Sequence, residues 1–307
     1  MSTTTSGSWL NQYVAPQLLA EFRNYKDDFM GVLGAAPQAA LTADGIRFNK
    51  LVNNVDFVVG NTSGFTATAM TGTKTLVEWE KYDTTPTKVD DKEIRYLAYD
   101  KRNIVRVKHS ESFRIGIRNH VLNKLAPSAN AAGMPVIRTT GTADASGRKR
   151  LTFADLANYA ETLKLLNLPM TDMMYMVLCP AHVTDLILDQ DSAKLFMDRS
   201  SWVDPVTGKV KSILGFKFFE NNDCPIYDST GTKKAVGAVA ATGDQQASVF
   251  FYGPNTIYHL DQVKILYKPE TIDTVNADPT SEFRTQTYGL VDRIVDYGFG
   301  AIISANA

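Results

Sequence analysis

The chain has 307 residues and a mass of 33.9 kDa, room for one large domain or two of ordinary size. A composition that is 44% hydrophobic and 21% charged supplies a real core and excludes a wholly disordered chain. Thirty-two Lys and Arg against 33 Asp and Glu leave a net charge of −1, which excludes tight nucleic-acid binding through bulk charge and leaves only local patches.

The first eight residues are small and polar and read as a mobile tail. They have neither the positive nor the apolar region of a secretory signal, and no apolar run approaches the ~20 residues of a membrane span. A product made in the cytoplasm is expected. Pro16 then opens a short amphipathic helix whose apolar residues, Leu18, Phe22, Tyr25 and Phe29, recur at helical spacing.

Residues 45–92 read as a long β-arm. Strand-forming residues at 46–52 and 55–59 and again at 75–82 flank a tip rich in Gly and Thr. A two-stranded ribbon is marginal in water on its own, so this one should lean on something else. The strongest helix is expected over 98–126, with Asp100 as N-cap and Pro127 as stop. Its apolar stripe is read as Ile104, Val107, Ile115, Leu122 and Leu125, with Phe113, Ile117 and Val121 on a second face. Burial on two sides makes it a scaffold element.

Residues 127–150 read as loop with one strand at Val136-Ile137. Thr152 and Asp155 resemble a capping box, and a helix follows with Leu156, Tyr159, Leu163 and Leu166. The continuously apolar run Met173–Cys179 is expected as a buried strand and Ala181–Leu188 as a helix. Further strands are expected at Gly215–Phe219, Ala235–Ala241, Ser248–Tyr252, Ile257–Tyr267 and Phe283–Tyr288, and in a last segment ending at Ile303. The whole is α+β.

No catalytic constellation emerges. His109, His120, His182 and His259 form no metal-binding pattern and read as surface or interface residues. His109 and His120 share a helix face eleven residues apart, too far to hold one metal. Cys179-Pro-Ala-His182 places a thiol near an imidazole, but a thiol at the end of an apolar strand is structural. Cys224, the second cysteine, is likewise read as a buried thiol. The acidic pairs Asp90-Asp91 and Asp189/Asp191 read as solvated. No phosphate-binding loop or nucleophile elbow is present. No catalytic, metal or cofactor residues are therefore assigned.

Charge distribution says more. Between 101 and 124 the long helix carries Lys101, Arg102, Arg106, Lys108, Arg114, Arg118 and Lys124 against Glu111. The arm carries Glu78, Glu80, Asp83, Asp90, Asp91 and Glu93 against three lysines. Either these are two solvated faces of one molecule, or the arm of one copy lies on the helix of another, where complementary charge sets the register. On the second reading the candidate contacts are Glu78, Glu80 and Asp83 opposite Arg106, Arg114 and Arg118. Phe57, Phe65 and Trp79 are the apolar anchors of an arm that has no core of its own.

Several stretches, in order along nearly the whole chain, resemble major capsid proteins of tailed bacteriophages. They are Tyr82-Asp-Thr-Thr-Pro-Thr-Lys-Val-Asp-Asp-Lys-Glu93, Tyr99-Asp-Lys-Arg102, and the helix from His109 to His120-Val-Leu-Asn-Lys-Leu-Ala-Pro127. Val177-Leu-Cys-Pro-Ala-His-Val-Thr-Asp-Leu-Ile187, Gly215-Phe-Lys-Phe-Phe-Glu-Asn-Asn222 and Tyr288-Gly-Leu-Val-Asp-Arg-Ile-Val-Asp-Tyr-Gly298 follow. The resemblance implies the Hong Kong 97 fold, with an N-terminal arm at 1–44 and an extended loop at 45–92. A peripheral domain with its spine helix would take 93–150 and return strands 256–307, and an axial domain 151–255. It implies self-assembly into hexamers and pentamers of a virion shell, with portal and separate scaffolding or decoration proteins as partners. Packaged double-stranded DNA would be touched only weakly and without specificity, and no membrane or cofactor would be involved. An encapsulin-like compartment shell has the same fold and is the alternative, followed by a cytoplasmic α/β enzyme.

Overall fold

The computed structural model describes residues 28–51, 72–90, 101–168, 173–189 and 212–306, and between the first two stretches positions 57, 59, 60, 62, 64, 67 and 69. The expected polar tail, most of the first helix, the Asp100 cap and Phe65 lie outside these residues. In chain order the strands and helices are β1 (Leu41–Thr42), β2 (Gly45–Leu51), β3 (Gly72–Glu78), β4 (Glu80–Asp83), β5 (Thr87–Asp90), α1 (Lys101–Leu125), β6 (Val136–Arg138) and α2 (Phe153–Leu165). There follow β7 (Met174–Leu178), α3 (Pro180–Leu188), β8 (Phe216–Glu220), β9 (Ile226–Tyr227), β10 (Gln245–Tyr252), β11 (Thr256–Leu260), β12 (Lys264–Lys268), β13 (Thr280–Arg293) and β14 (Phe299–Ile303).

The arm is a ribbon, as its composition suggests. β2 and β3 pair antiparallel from Gly45↔Glu78 to Leu51↔Gly72, and β1 extends the ribbon at its base. Among its described side chains the buried apolar ones, Ile46 and Val77, are at that base, where they pack with Ile257 and Leu290. The expected arm is too long at one end, because β4 and β5 belong to a different sheet. The middle of that sheet is the 14-residue β13. β11 and β12 lie in succession along one edge of it, and β4 and β5 along the other. Between β4 and β5 the outer chain advances four residues, 83 to 87, while β13 advances three, 286 to 283. One residue is extra, so the edge carries a bulge. Thr84 fills it: its N–H donates to Thr285 O (3.0 Å) and its hydroxyl accepts from Thr285 N–H (2.9 Å). The segment Ile257–Tyr267, expected as one strand, is divided in the same way into β11 and β12.

The second sheet has the order β6-β14-β10-β7-β8, with β9 on the start of β10. Both faces are covered. On one, Ile117, Val121, Leu122 and Leu125 of α1 share a core with Val177, Val249, Phe251, Phe299, Ala301 and Ile303. On the other, Leu156, Tyr159 and Leu163 of α2 and Val183 and Leu186 of α3 pack with Met174, Met176, Phe250 and Ile302. β7 and β14 are buried along their whole length, as strands of continuous apolar sequence must be. This revises the expected partition. The sheet of the 151–255 unit is completed by β6 and by β14, which comes from the C-terminal return. Phe299-Gly-Ala-Ile-Ile303 has no polar face and can only be an interior strand. Gly300 is required there, because a Cβ would lie 1.9 Å from the Tyr159 hydroxyl oxygen.

Helix α1 buries its expected second face, Phe113, Ile117 and Val121, and Leu122 and Leu125 of the expected stripe, but not Ile104 and Ile115 of that stripe. The buried stripe is His109, Phe113, Ile117, Val121 and Leu125, while Ile104 and Ile115 are 45% and 39% exposed. Steps of four residues overshoot a 3.6-residue turn by about 40°, so this stripe winds round the helix. Winding suits a helix that lies on the β13 sheet with its first half and on the second sheet with its last. Its C-terminus is closed by Lys233, whose ammonium donates to Asn123 O (2.5 Å) and Ala126 O (2.6 Å). Burial, with the nearby charges of Arg293 and Lys124, lowers that lysine to about 8.

The Thr152–Asp155 capping box forms as read, and Asp189 supports it by accepting from Phe153 N–H at 2.7 Å. Ala235–Ala241 is not a strand. Its Val236 and Val239 are exposed, while the short β9, which the sequence did not suggest, pairs with the start of β10. His109 and His182, read as surface or interface residues, are both buried within the chain.

A polar network ties α3 to the end of the sheet. Asp185, 2% exposed, receives both terminal nitrogens of Arg148 at 2.7 Å and Leu151 N–H at 2.9 Å. Beside it His182 bridges Ser248 Oγ (2.6 Å) and Ser304 Oγ (2.9 Å). A buried, bidentate pair is costly to break on one side, because the other charge is left without a partner. Asp185→Ala should therefore lower stability by about 3–5 kcal/mol in denaturant unfolding, and Arg148→Met combined with Asp185→Leu should recover a large part of that loss.

Candidate assembly surface

The arm and α1 meet along one stretch of chain, 79–87. Trp79 is the single residue between β3, which pairs with β2, and β4, which pairs with β13. The chain therefore passes at Trp79 from the ribbon into the sheet. Its indole N–H donates to Thr42 O (3.0 Å), and its ring meets His259 of β11 edge-on at 5.6 Å.

Glu80 is next. Its carboxylate bonds His120 Nε2 (2.5 Å) and Lys124 Nζ (2.7 Å), both on α1 of the same chain. Burial alone would raise the Glu80 carboxyl. The hydrogen bonds from Lys124 and His120 outweigh it, and the net direction is down. Tyr82 donates to the same carboxylate (3.2 Å) and packs edge-on against His120 at 5.4 Å. Asp83 lies on the opposite face of the sheet, with Lys81 (2.8 Å) and Arg284 (3.8 Å).

Of the other candidate residues, Arg118 bonds Asp223 at 2.5 Å and Arg106 bonds Asn103 Oδ1 at 2.8 Å. Arg114 is half-buried and Glu78 exposed. Phe57 is 91% exposed and Val59, its neighbour on the arm, 81%. Phe65 lies outside the described residues. The charge complementarity of arm and helix is thus met at Glu80 within one chain, by His120 and Lys124 and not by the arginines. The sequence signal for this was available: His120 and Lys124 are four apart and share a helix face. Which strand lies beneath that face is a tertiary fact.

The chemistry on offer elsewhere is structural. Ser248 and His182 are at hydrogen-bond distance, an arrangement used for nucleophiles. Both are wholly buried, though, and burial drives His182 down to about 4. Burial likewise raises the thiols of Cys179 and Cys224, away from the reactive thiolate form. Among the described residues no group of three or more His, Cys, Asp and Glu could hold a metal, and no helix is long and apolar enough to cross a membrane. A cavity of about 190 Å³ lies between Asn119 and Asn123 of α1 and the loops at 223–226 and 235–238. An open groove of about 330 Å³ runs over Pro86, Leu266 and Arg284 on the outer face of the β13 sheet.

The Glu80 cluster requires Tyr82 to lie flat over β13, and it does so above Gly289. A Cβ at 289 would sit 2.2 Å from the Tyr82 ring. Gly289→Ala should cost about 1–3 kcal/mol by overpacking, read from the denaturation midpoint. Tyr82→Leu in the same chain should relieve the clash and return part of the loss.

No family model matches the chain, and no curated protein does. Solved structures do. The capsid of cyanophage P-SCSP1u superposes with a TM-score of 0.64 at 14% identity, over 91% of this chain and 88% of that one. A structure from Mycobacterium phage Che8 gives 0.63 at 14% over 89% and 90%. The head of Helicobacter pylori bacteriophage KHP40 gives 0.64 at 11% over 92% of both chains. Such coverage from end to end, with so little sequence in common, is a statement about architecture. The chain has the α+β fold of phage capsid and head proteins.

Proposed function

We propose that this chain is a tailed-phage major capsid protein, which assembles with itself into the hexamers and pentamers of an icosahedral head enclosing double-stranded DNA. The observation that carries this reading is the fold, matched to phage capsid structures over about nine-tenths of both chains. The ribbon supports it independently. Among the described side chains the core of β2 and β3 is at their base, around Ile46 and Val77, and Phe57 and Val59 beyond their paired ends are exposed. Isolated ribbons are marginal, and large shared interfaces are apolar, so a second copy is the natural cover.

In this proposal residues 1–44 act as N-terminal arm and the ribbon as extended loop. The β13 sheet with α1 forms the peripheral part, and the sheet of β7, β10 and β14 the axial part. Contacts between copies draw on Phe57, Phe65, Trp79, Glu78 and the α1 arginines Arg106, Arg114 and Arg118. Glu80 and Asp83 serve the subunit first. Portal, scaffolding and decoration proteins are further partners, DNA contact is weak and non-specific, and the chain performs no catalysis. The subunit is made in the host cytoplasm and ends in the virion.

Electron microscopy of the purified chain should show capsomers, sheets, tubes or shells, and a monodisperse monomer across salt and concentration would overturn the reading. Deleting 52–71 while leaving β4 and β5 in place should abolish those assemblies and leave circular dichroism and thermal unfolding of the subunit nearly unchanged. The reversals Glu78→Lys and Arg114→Glu should each weaken assembly without unfolding the subunit.

A further inference from the structure

Three of the four histidines touch the same short segment. His259 of β11 meets Trp79, His120 of α1 meets Glu80 and Tyr82, and His109 of α1 meets Thr84 and Thr87. That segment is the continuation of ribbon strand β3 into the sheet. We propose that residues 79–87 are an acid-sensitive mounting for the ribbon, clasped by histidines at neutral pH and loosened from the His109 end on acidification.

The His109 clasp is dry. The ring is 6% exposed, Nδ1 lies 2.7 Å from Thr84 Oγ1, Nε2 lies 2.8 Å from Thr87 Oγ1, and the Phe283 ring stands edge-on at 4.9 Å. Thr84 is the residue that fills the bulge and is bonded to Thr285. A neutral imidazole suits this setting, donating from one nitrogen and accepting at the other. Among the described residues an imidazolium would find no counter-charge. The buried side of β13 presents Ser281, Phe283, Thr285 and Thr287, none of them ionisable. Glu282 of β13 and Lys88 of β5 are paired to each other on the opposite face (3.7 Å). On α1, Lys108 is paired with Glu111 and Arg106 bonded to Asn103. Near the start of α1, Arg102 is bonded to Glu270, which also accepts from Tyr267 of β12.

Burial lowers the His109 imidazole below its ordinary value. A histidine lowered on folding binds its proton more readily when the clasp is open. Its contribution is therefore complete above about pH 6.5 and is lost as pH falls from there toward the lowered value. Glu80 adds a second stage. Burial opposes its ionisation and the bonds from Lys124 and His120 prevail, so its carboxyl is lowered overall. Its contribution is present above the ordinary carboxylate range and fades below it. Lys124 and Tyr82 complete the groups facing this carboxylate, and no titration of His120 or His259 is invoked. Both stages act in the same direction.

The test is amide hydrogen exchange on the full chain, divided by the intrinsic rate at each pH, from neutral to about pH 5. Protection of 80–87 and of 105–113 should fall with acid, approaching the limit of about tenfold per pH unit set by one linked proton. β7 and β10 should hold theirs. His109→Gln, which keeps hydrogen-bonding capacity without titrating, should flatten that response. Loss of protection spread evenly over the chain, or an unchanged acid response in His109→Gln, overturns the proposal. Should that variant not fold, imidazole resonances of the wild-type chain decide. His109 must titrate below the ordinary histidine value and in step with the exchange, and titration at or above it is the contrary result. None of these readings requires a shell, so they stand or fall separately from the assembly experiment.

Discussion

Burial of α1 against two sheets at once is the contact on which the rest of the molecule depends. A straight apolar stripe would serve one flat surface. The stripe from His109 to Leu125 winds instead, because each four-residue step runs past a full turn. The first half of the helix meets Phe283 of the β13 sheet through His109, which also bonds Thr84, itself bonded to Thr285, and the second half meets Phe251, Phe299 and Ala301. The two sheets have separate strands and separate hydrogen-bond ladders. The helix makes them one body, and Lys233 on its last carbonyls holds the end in place.

Within that body the polar residues do structural work. Arg148 and Asp185 join the loop before α2 to α3, and His182 joins α3 to β10 and to the residue that follows β14. Buried polar groups are tolerated only when fully bonded, and here each atom of the His182 ring able to bond has a partner. The same economy governs the segment 79–87, where a carboxylate, two histidines and two threonines fasten a strand edge to a helix. The proposed shell would place mechanical load on this segment, since the ribbon reaches out from it and is packed near its base through Ile46, Phe48 and Val77.

The fold was legible wherever local chemistry left one solution. Gly/Thr-rich chain between two β-branched runs makes a ribbon, Thr152 with Asp155 makes a helix start, and Met174–Leu178 can only be an inner strand. It was illegible where a residue's fate depended on a distant partner. Ala235–Ala241 has two valines but is otherwise Ala and Gly, and both valines are exposed in a loop. Ile104 and Ile115 belong to a plausible apolar stripe whose Leu122 and Leu125 are buried, and yet face outward, because the buried stripe winds round the helix between the two sheets.

The candidate contacts divide along the same line. Sequence order alone determined that an acidic stretch at 78–93 and a basic stretch at 101–124 exist and that the arm carries aromatic residues, and the stretches from Tyr82 to Gly298 resemble those of tailed-phage major capsid proteins. The tertiary structure decided that Glu80 meets His120 and Lys124 of its own chain, that Arg118 turns to Asp223, and that β14 closes a sheet begun some 160 residues earlier at β6. The physical reason is range. Propensity, capping and periodicity act over a few residues, and charge pairing and strand order are settled only when segments far apart in sequence compete for the same partner.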